Sequence, residues 1–103
     1  MQEVLIDAFV IPGEFRQPFL ERARAVQSFL KTLPGFVEGF LHEKTEGDGG
    51  HNYITTAAWE SAEAFEIAKI AAAEFKRRGF DPQDATRRWK IEADRAVFAR
   101  SPY

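Results

Sequence analysis

The sequence predicts an α+β fold of the ferredoxin-like kind, β-α-β-β-α-β, with a four-stranded antiparallel sheet and both helices on one face. Three observations carry this. Two stretches with apolar residues at helical spacing, residues 15–33 and 64–75, each follow a short run rich in β-branched and aromatic residues. Pro12-Gly13 and Pro34-Gly35 mark breaks on either side of the first helical stretch. The run Gly47-Asp48-Gly49-Gly50 separates two further β-rich segments, as a hairpin loop does.

Taken in order, residues 4–11 read as a first strand. Val4, Ile6, Ala8 and Val10 alternate with Leu5, Asp7, Phe9 and Ile11, so both faces are apolar except at Asp7. A strand apolar on both faces needs cover on both. The helices supply one cover, and a second copy of the sheet supplies the other. Phe15, Phe19, Val26, Leu30 and Leu33 form the stripe of a first helix over residues 15–32, with Pro18 in its first turn. Residues 36–44 are a second strand, with Phe36, Glu38, Phe40, His42 and Lys44 on one face. The third strand, residues 51–59, puts Tyr53, Thr55, Ala57 and Trp59 together. Ser61 caps a second helix that begins after Glu60. Its narrow stripe of Ala64, Phe65, Ala68, Ala72 and Phe75 permits close approach to the sheet or leaves space for a ligand. Gly79 ends that helix, Phe80-Asp81-Pro82 turns, residues 84–89 form a helical turn, and residues 92–100 are the last strand.

A length of 103 residues allows one domain, residues 1–103, and the hydrophobic share of 45% fits a globular chain. Ten Phe supply a well-stocked core, or a core and an oligomer interface. The net charge of −2 lacks the basic excess of a nucleic-acid binder. With no Cys there is no disulfide or thiolate metal site. No signal peptide or membrane span is visible, so the expected location is cytoplasmic.

Three groups of residues then resemble the antibiotic biosynthesis monooxygenase domain of the dimeric α/β barrel superfamily. They are Phe9-Val10-Ile11-Pro12-Gly13 leading to Phe19, Leu33-Pro34-Gly35-Phe36 leading to Leu41-His42, and Tyr53 with Trp59-Glu60-Ser61 leading to Phe65. The resemblance covers roughly residues 4–75. It implies a homodimer paired through the sheet faces, and oxidation of a small aromatic or polycyclic substrate by molecular oxygen without metal or flavin. A non-catalytic ligand-binding protein and a proton-transferring isomerase or lyase are alternatives on the same fold. In the haem-degrading branch a His on or after the second helix holds the iron, and no His follows His51 here.

The resemblance puts Trp59 in the pocket wall, where its N–H can meet a substrate oxygen; a Trp at a strand end also reads as core. Thr55 stands where the polycyclic-oxidising branch often has Asn, and a hydroxyl offers less than an amide. Asp7, buried without a partner, would have a raised pKa and suit a catalytic base; paired with Arg95 on the neighbouring strand, it would be structural. Phe9, Tyr53 and Phe65 are candidate walls, and His42 a further candidate contact or base. His42 and His51 without a placed carboxylate make no metal site. The basic run Lys76-Arg77-Arg78 reads as a solvated helix face or as an attractor for an anionic substrate.

Overall fold

The structure, a computed structural model, describes residues 1–78 and 88–102. Strands β1 (Glu3–Val10), β2 (Phe36–Glu43), β3 (Tyr53–Trp59) and β4 (Glu92–Ala99) form one antiparallel sheet in the order β2-β3-β1-β4. Helix α1 (Arg16–Leu30) follows β1 through a short 3-10 turn, and α2 (Ala62–Arg77) follows β3. The expected helix stop at Gly79, the turn at Phe80-Asp81-Pro82 and the start of a helical turn at Asp84 lie outside the described residues. Arg88 and Trp89, at the end of that turn, are helical.

Local chemistry explains the breaks. Pro18 occupies the first turn of α1, where its missing N–H has no intrahelical partner to lose. Gly35 takes φ +80°, and a Cβ there would collide with Ala64, so the turn into β2 needs glycine. The Gly35 carbonyl accepts the Glu60 N–H at 2.8 Å and ties the turn to the start of α2. The Ser61 hydroxyl accepts the Ala64 N–H at 3.1 Å, a cap worth about 1 kcal/mol. Asn52 extends the β1–β3 ladder by one step: its side-chain amide bonds both the N–H and the carbonyl of Ile11.

The register sorts the two sheet faces. Leu5, Asp7 and Phe9 lie in phase with Ala57, Thr55 and Tyr53 of β3 and with Val97, Arg95 and Ala93 of β4. The helices cover this inner face over β1, β2 and β3, while β4 is exposed along its length. The outer face carries Val4, Ile6 and Ala8 beside Ile54 and Phe98. One sequence-based expectation is corrected here. Phe36 does not share a face with Phe40 and His42, because a bulge between Phe36 and Glu38 shifts β2 by one residue. Phe36 turns inward onto Trp59, with ring centroids 5.3 Å apart and nearly perpendicular. Phe40 stays outside, 52% exposed.

Two buried clusters fill the layer between sheet and helices. One holds Ile11, Phe19, Ala23, Tyr53 and Ile91. The other holds Ala57, Trp59, Ala64, Phe65 and Ala68. The outer face has an apolar middle between the Glu38–Arg100 ion pair at 3.4 Å and the His51–Asp94 hydrogen bond at 2.7 Å. Among the described residues no helix is long and apolar enough to cross a membrane.

Candidate active site

Each helix turns one stripe toward the sheet. On α1 the stripe runs Phe19, Ala23, Val26, Leu30; on α2 it runs Phe65, Ala68, Ala72, Lys76. The small side chains on α2 leave the two stripes unjoined over the middle of β1 and β3. A cavity of about 540 Å³ results, floored by Leu5, Asp7, Thr55, Ala57 and Trp59. That volume is within the ~300–1,000 Å³ usual for small-molecule sites. Phe75 is not in the wall; its ring stacks on Phe29 of α1, with centroids 4.3 Å apart, and joins the two helices.

The apolar end is built around Trp59, which is 1% exposed. Its indole N–H has no hydrogen-bond partner. A buried donor left unpaired costs about 1–3 kcal/mol, and this one is closed off from open space. Gln27 adds a second unfinished group. Its side-chain N–H donates to the Thr56 carbonyl at 3.3 Å, while its Oε1 is buried and unpaired. Gly39 makes this possible, since a Cβ there would run into the Gln27 amide.

The other end is charged. Arg95 grips Asp7 with Nε at 2.7 Å from Oδ1 and Nη2 at 3.1 Å from Oδ2. The hydrogen bonds to Asp7 raise the Arg95 pKa, against an opposing effect of burial. Lys76 also reaches the cavity. Burial lowers its pKa, and the charges of Arg95 and Arg22 push the same way, while Asp7 opposes them. The premise of an unpartnered Asp7 therefore fails. Asp7 lines the cavity and is an ion-pair partner of Arg95 at once.

The family model for antibiotic biosynthesis monooxygenase matches residues 3–73. The chain belongs to the antibiotic biosynthesis monooxygenase family. Among solved structures it is similar to a mutant of SnoaB, a cofactor-independent oxygenase from Streptomyces nogalater, at TM-score 0.71 and 22% identity, covering 99% of this chain and 95% of that one. It is also similar to Rv0793 from Mycobacterium tuberculosis, at TM-score 0.72 and 14% identity, covering 100% and 98%. The haem-degrading protein Rv3592 from Mycobacterium tuberculosis aligns at TM-score 0.60 and 26% identity, covering 67% of this chain and 78% of that one. No curated protein matches the chain. The first two likenesses bear on the fold alone.

Within this family member, the structure brings Asp7, Phe9, Thr55, Trp59 and Phe65 to one cavity. It does not bring Tyr53 or His42 there. Tyr53 is buried against Phe19 in the filled cluster, and its hydroxyl donates to Glu43 Oε1 at 2.9 Å. Burial, and then that bond, raise the Tyr53 pKa; the Arg16 hydrogen bond, then Tyr53, lower that of Glu43. His42 lies on the outer face, opposite Ile54 and beside Phe40. Sequence reasoning missed Gln27 and Arg22 as cavity residues, and it placed Lys76 only within a basic run, either a solvated helix face or an attractor for an anionic substrate. The signal was present for Lys76, which continues the helical spacing of Phe65, Ala68 and Ala72. Among the described residues no three His, Cys, Asp or Glu side chains group as metal ligands.

Proposed function

We propose that this chain is a cofactor-independent monooxygenase acting on a small aromatic or polycyclic substrate. The observation that supports it most is the apolar cavity between sheet and helices, with Trp59, Phe65 and Phe9 in its wall. A fused-ring substrate lies against those three side chains. Asp7 is the candidate base for an acidic C–H or O–H of the substrate. The resulting anion passes one electron to O₂, the radical and superoxide combine as a peroxide anion, Asp7 returns its proton to give the hydroperoxide, and loss of water leaves a new carbonyl. One oxygen atom ends in the product and the other in water. Arg95 donates one hydrogen bond to each Asp7 oxygen, which orients the carboxylate and leaves a lone pair on each oxygen for a substrate proton.

Oxygen uptake by the purified protein with anthrones or electron-rich phenols tests this. The expected result is one O₂ per product, with Asp7→Asn slowing turnover by about 10²-fold or more. No uptake with any such substrate overturns the reading and leaves the second one. That second reading is a ligand-binding protein without catalysis, favoured by the engagement of Asp7 with Arg95.

The outer sheet face is proposed to pair with a second copy of the chain. Its exposed Phe40, Ile54 and Phe98 form an apolar patch that water covers poorly. Sedimentation should show a dimer that Phe98→Glu dissociates; a monomeric native chain rules the pairing out.

A further inference from the structure

The two ends of the cavity differ in what they lack. At the Trp59 end, one donor and one acceptor have no partner. At the Asp7 end, cationic side chains gather: among the described residues, Lys76 from α2 and Arg95 from β4 line the wall beside the Asp7 carboxylate, with Arg22 of α1 also in it. Lys76 senses the charges of all three others, so the four groups form one electrostatic cluster. Asp7 occupies two of the five N–H donors of Arg95 and fixes the direction of the rest. The Lys76 ammonium makes no hydrogen bond or ion pair among the described residues. The whole chain carries a net charge of −2, so this gathering of cations does not follow from composition. The Lys76 ammonium and the remaining Arg95 donors, in a partly buried wall, attract an anion through a field that water screens only in part.

We propose that the Asp7 end of the cavity binds an anionic oxygen group of the ligand, a carboxylate or an ionised phenol, held by Lys76 and Arg95 with Arg22 nearby. The ring system then extends toward Trp59. In register, Asp7 faces Thr55 and Glu3 faces Trp59, so the two ends lie four residues apart. At ~3.3 Å per residue that is about 13 Å, a span a fused-ring ligand can bridge. Asp7 acquires a second duty in this arrangement: it positions Arg95. The inference rests on the aromatic-substrate reading above and adds charge selectivity to it. Lys76 and Arg95 also lie beyond residues 3–73, the part of the chain that matches the family model.

Calorimetric titration with three probes tests the proposal without requiring turnover. The probes are anthraquinone-2-carboxylate, 2-hydroxyanthraquinone above its own ionisation, and neutral 2-(hydroxymethyl)anthraquinone. The anions should bind about tenfold tighter than the neutral probe, or ~1.4 kcal/mol. Lys76→Met should erase that preference and leave the neutral probe unchanged, while Lys76→Arg keeps it. Binding by the carboxylate alone assigns the group as a carboxylate; binding by both anions admits a phenolate. Equal affinity for all three, no binding of any, or an unaltered preference in Lys76→Met overturns the proposal. Lys76→Met removes a cation from beside two others, so its melting temperature should not fall; that measurement separates lost binding from lost folding. Anion preference without oxygen uptake upholds this inference and sinks the oxygenase reading. Oxygen uptake without anion preference does the reverse.

Discussion

Tyr53 and Trp59 stand on the same face of one strand, both almost wholly buried, and each ends in a polar group. Their surroundings differ. The Tyr53 ring is wedged against Phe19, and its hydroxyl is paired with Glu43, which Arg16 holds in turn. The Trp59 ring has Phe36 on one side, and its N–H has nothing. The same layer of the molecule is therefore complete at one end and unfinished at the other. The finished end contributes stability. The unfinished end keeps the cost of a donor sealed in without a partner. Burial alone does not distinguish the two; hydrogen-bond completion does.

The largest expected effect comes from filling the cavity between the helices. Ala72→Phe places a ring in the cavity and should weaken binding of any anthraquinone probe by about 100-fold, or ~2.7 kcal/mol, with the fold kept. Undiminished binding in a titration would show that the ligand sits elsewhere. Trp59→Phe removes part of the cavity wall and should cost a few-fold in affinity for any anthraquinone probe, on the order of 1 kcal/mol. It removes an unpaired donor but leaves a void where the largest fully buried side chain stood, two opposing effects of about 1–3 kcal/mol, so the denaturation midpoint should move little. A drop in stability with affinity intact would make Trp59 a structural residue like Tyr53.

Tyr53→Phe should do the opposite. Its ring is buried but its hydroxyl reaches the half-exposed Glu43, so the loss is about 0.5–1 kcal/mol of stability with no change in affinity. Chemical denaturation and titration of one sample read both quantities. The smallest effect belongs to pH. The folded-state pKa of Lys76 lies below the ordinary 10.5, chiefly from burial, with Arg95 and Arg22 adding to it and Asp7 opposing. Between the lowered value and 10.5 the unfolded chain binds more protons than the folded one, so stability rises with pH across that window. Affinity for an anionic probe should fall over the same window. Lys76→Met should flatten both curves.

Much of the fold was legible because each signal was local. Pro12-Gly13, Pro34-Gly35 and Ser61 sit at real boundaries, and the apolar stripes of both helices face the sheet. The Asp7–Arg95 pair was legible as one of two readings, since adjacent strands of this topology put those positions side by side. Other features left no trace in composition. Strand alternation gave the face of Tyr53 but not its place along the strand, and that place decides whether a residue meets Phe19 or the cavity. His42 was assigned by a phase that is right for the outer half of β2, yet the outer face is not the cavity. Lys76 was legible only as one member of the run Lys76-Arg77-Arg78, which reads equally as a solvated face or as an attractor for an anionic substrate; charge alone does not single it out from its neighbours.

The bulge in β2 has a consequence for how the chain tolerates lost residues. Val37 is the extra residue between two in-phase pairs, Phe36 with Trp59 and Glu38 with Ala58. Deleting Val37 would regularise the strand and keep Phe36 on Trp59, Leu41 inward and Phe40 outward. Deleting Phe40 instead would move every later side chain of β2 to the wrong face or break its pairing. The Val37 deletion should retain a cooperative thermal transition and the Phe40 deletion should lose it. Within this strand a single position carries slack in the reading of inside and outside, and the residues around it carry none.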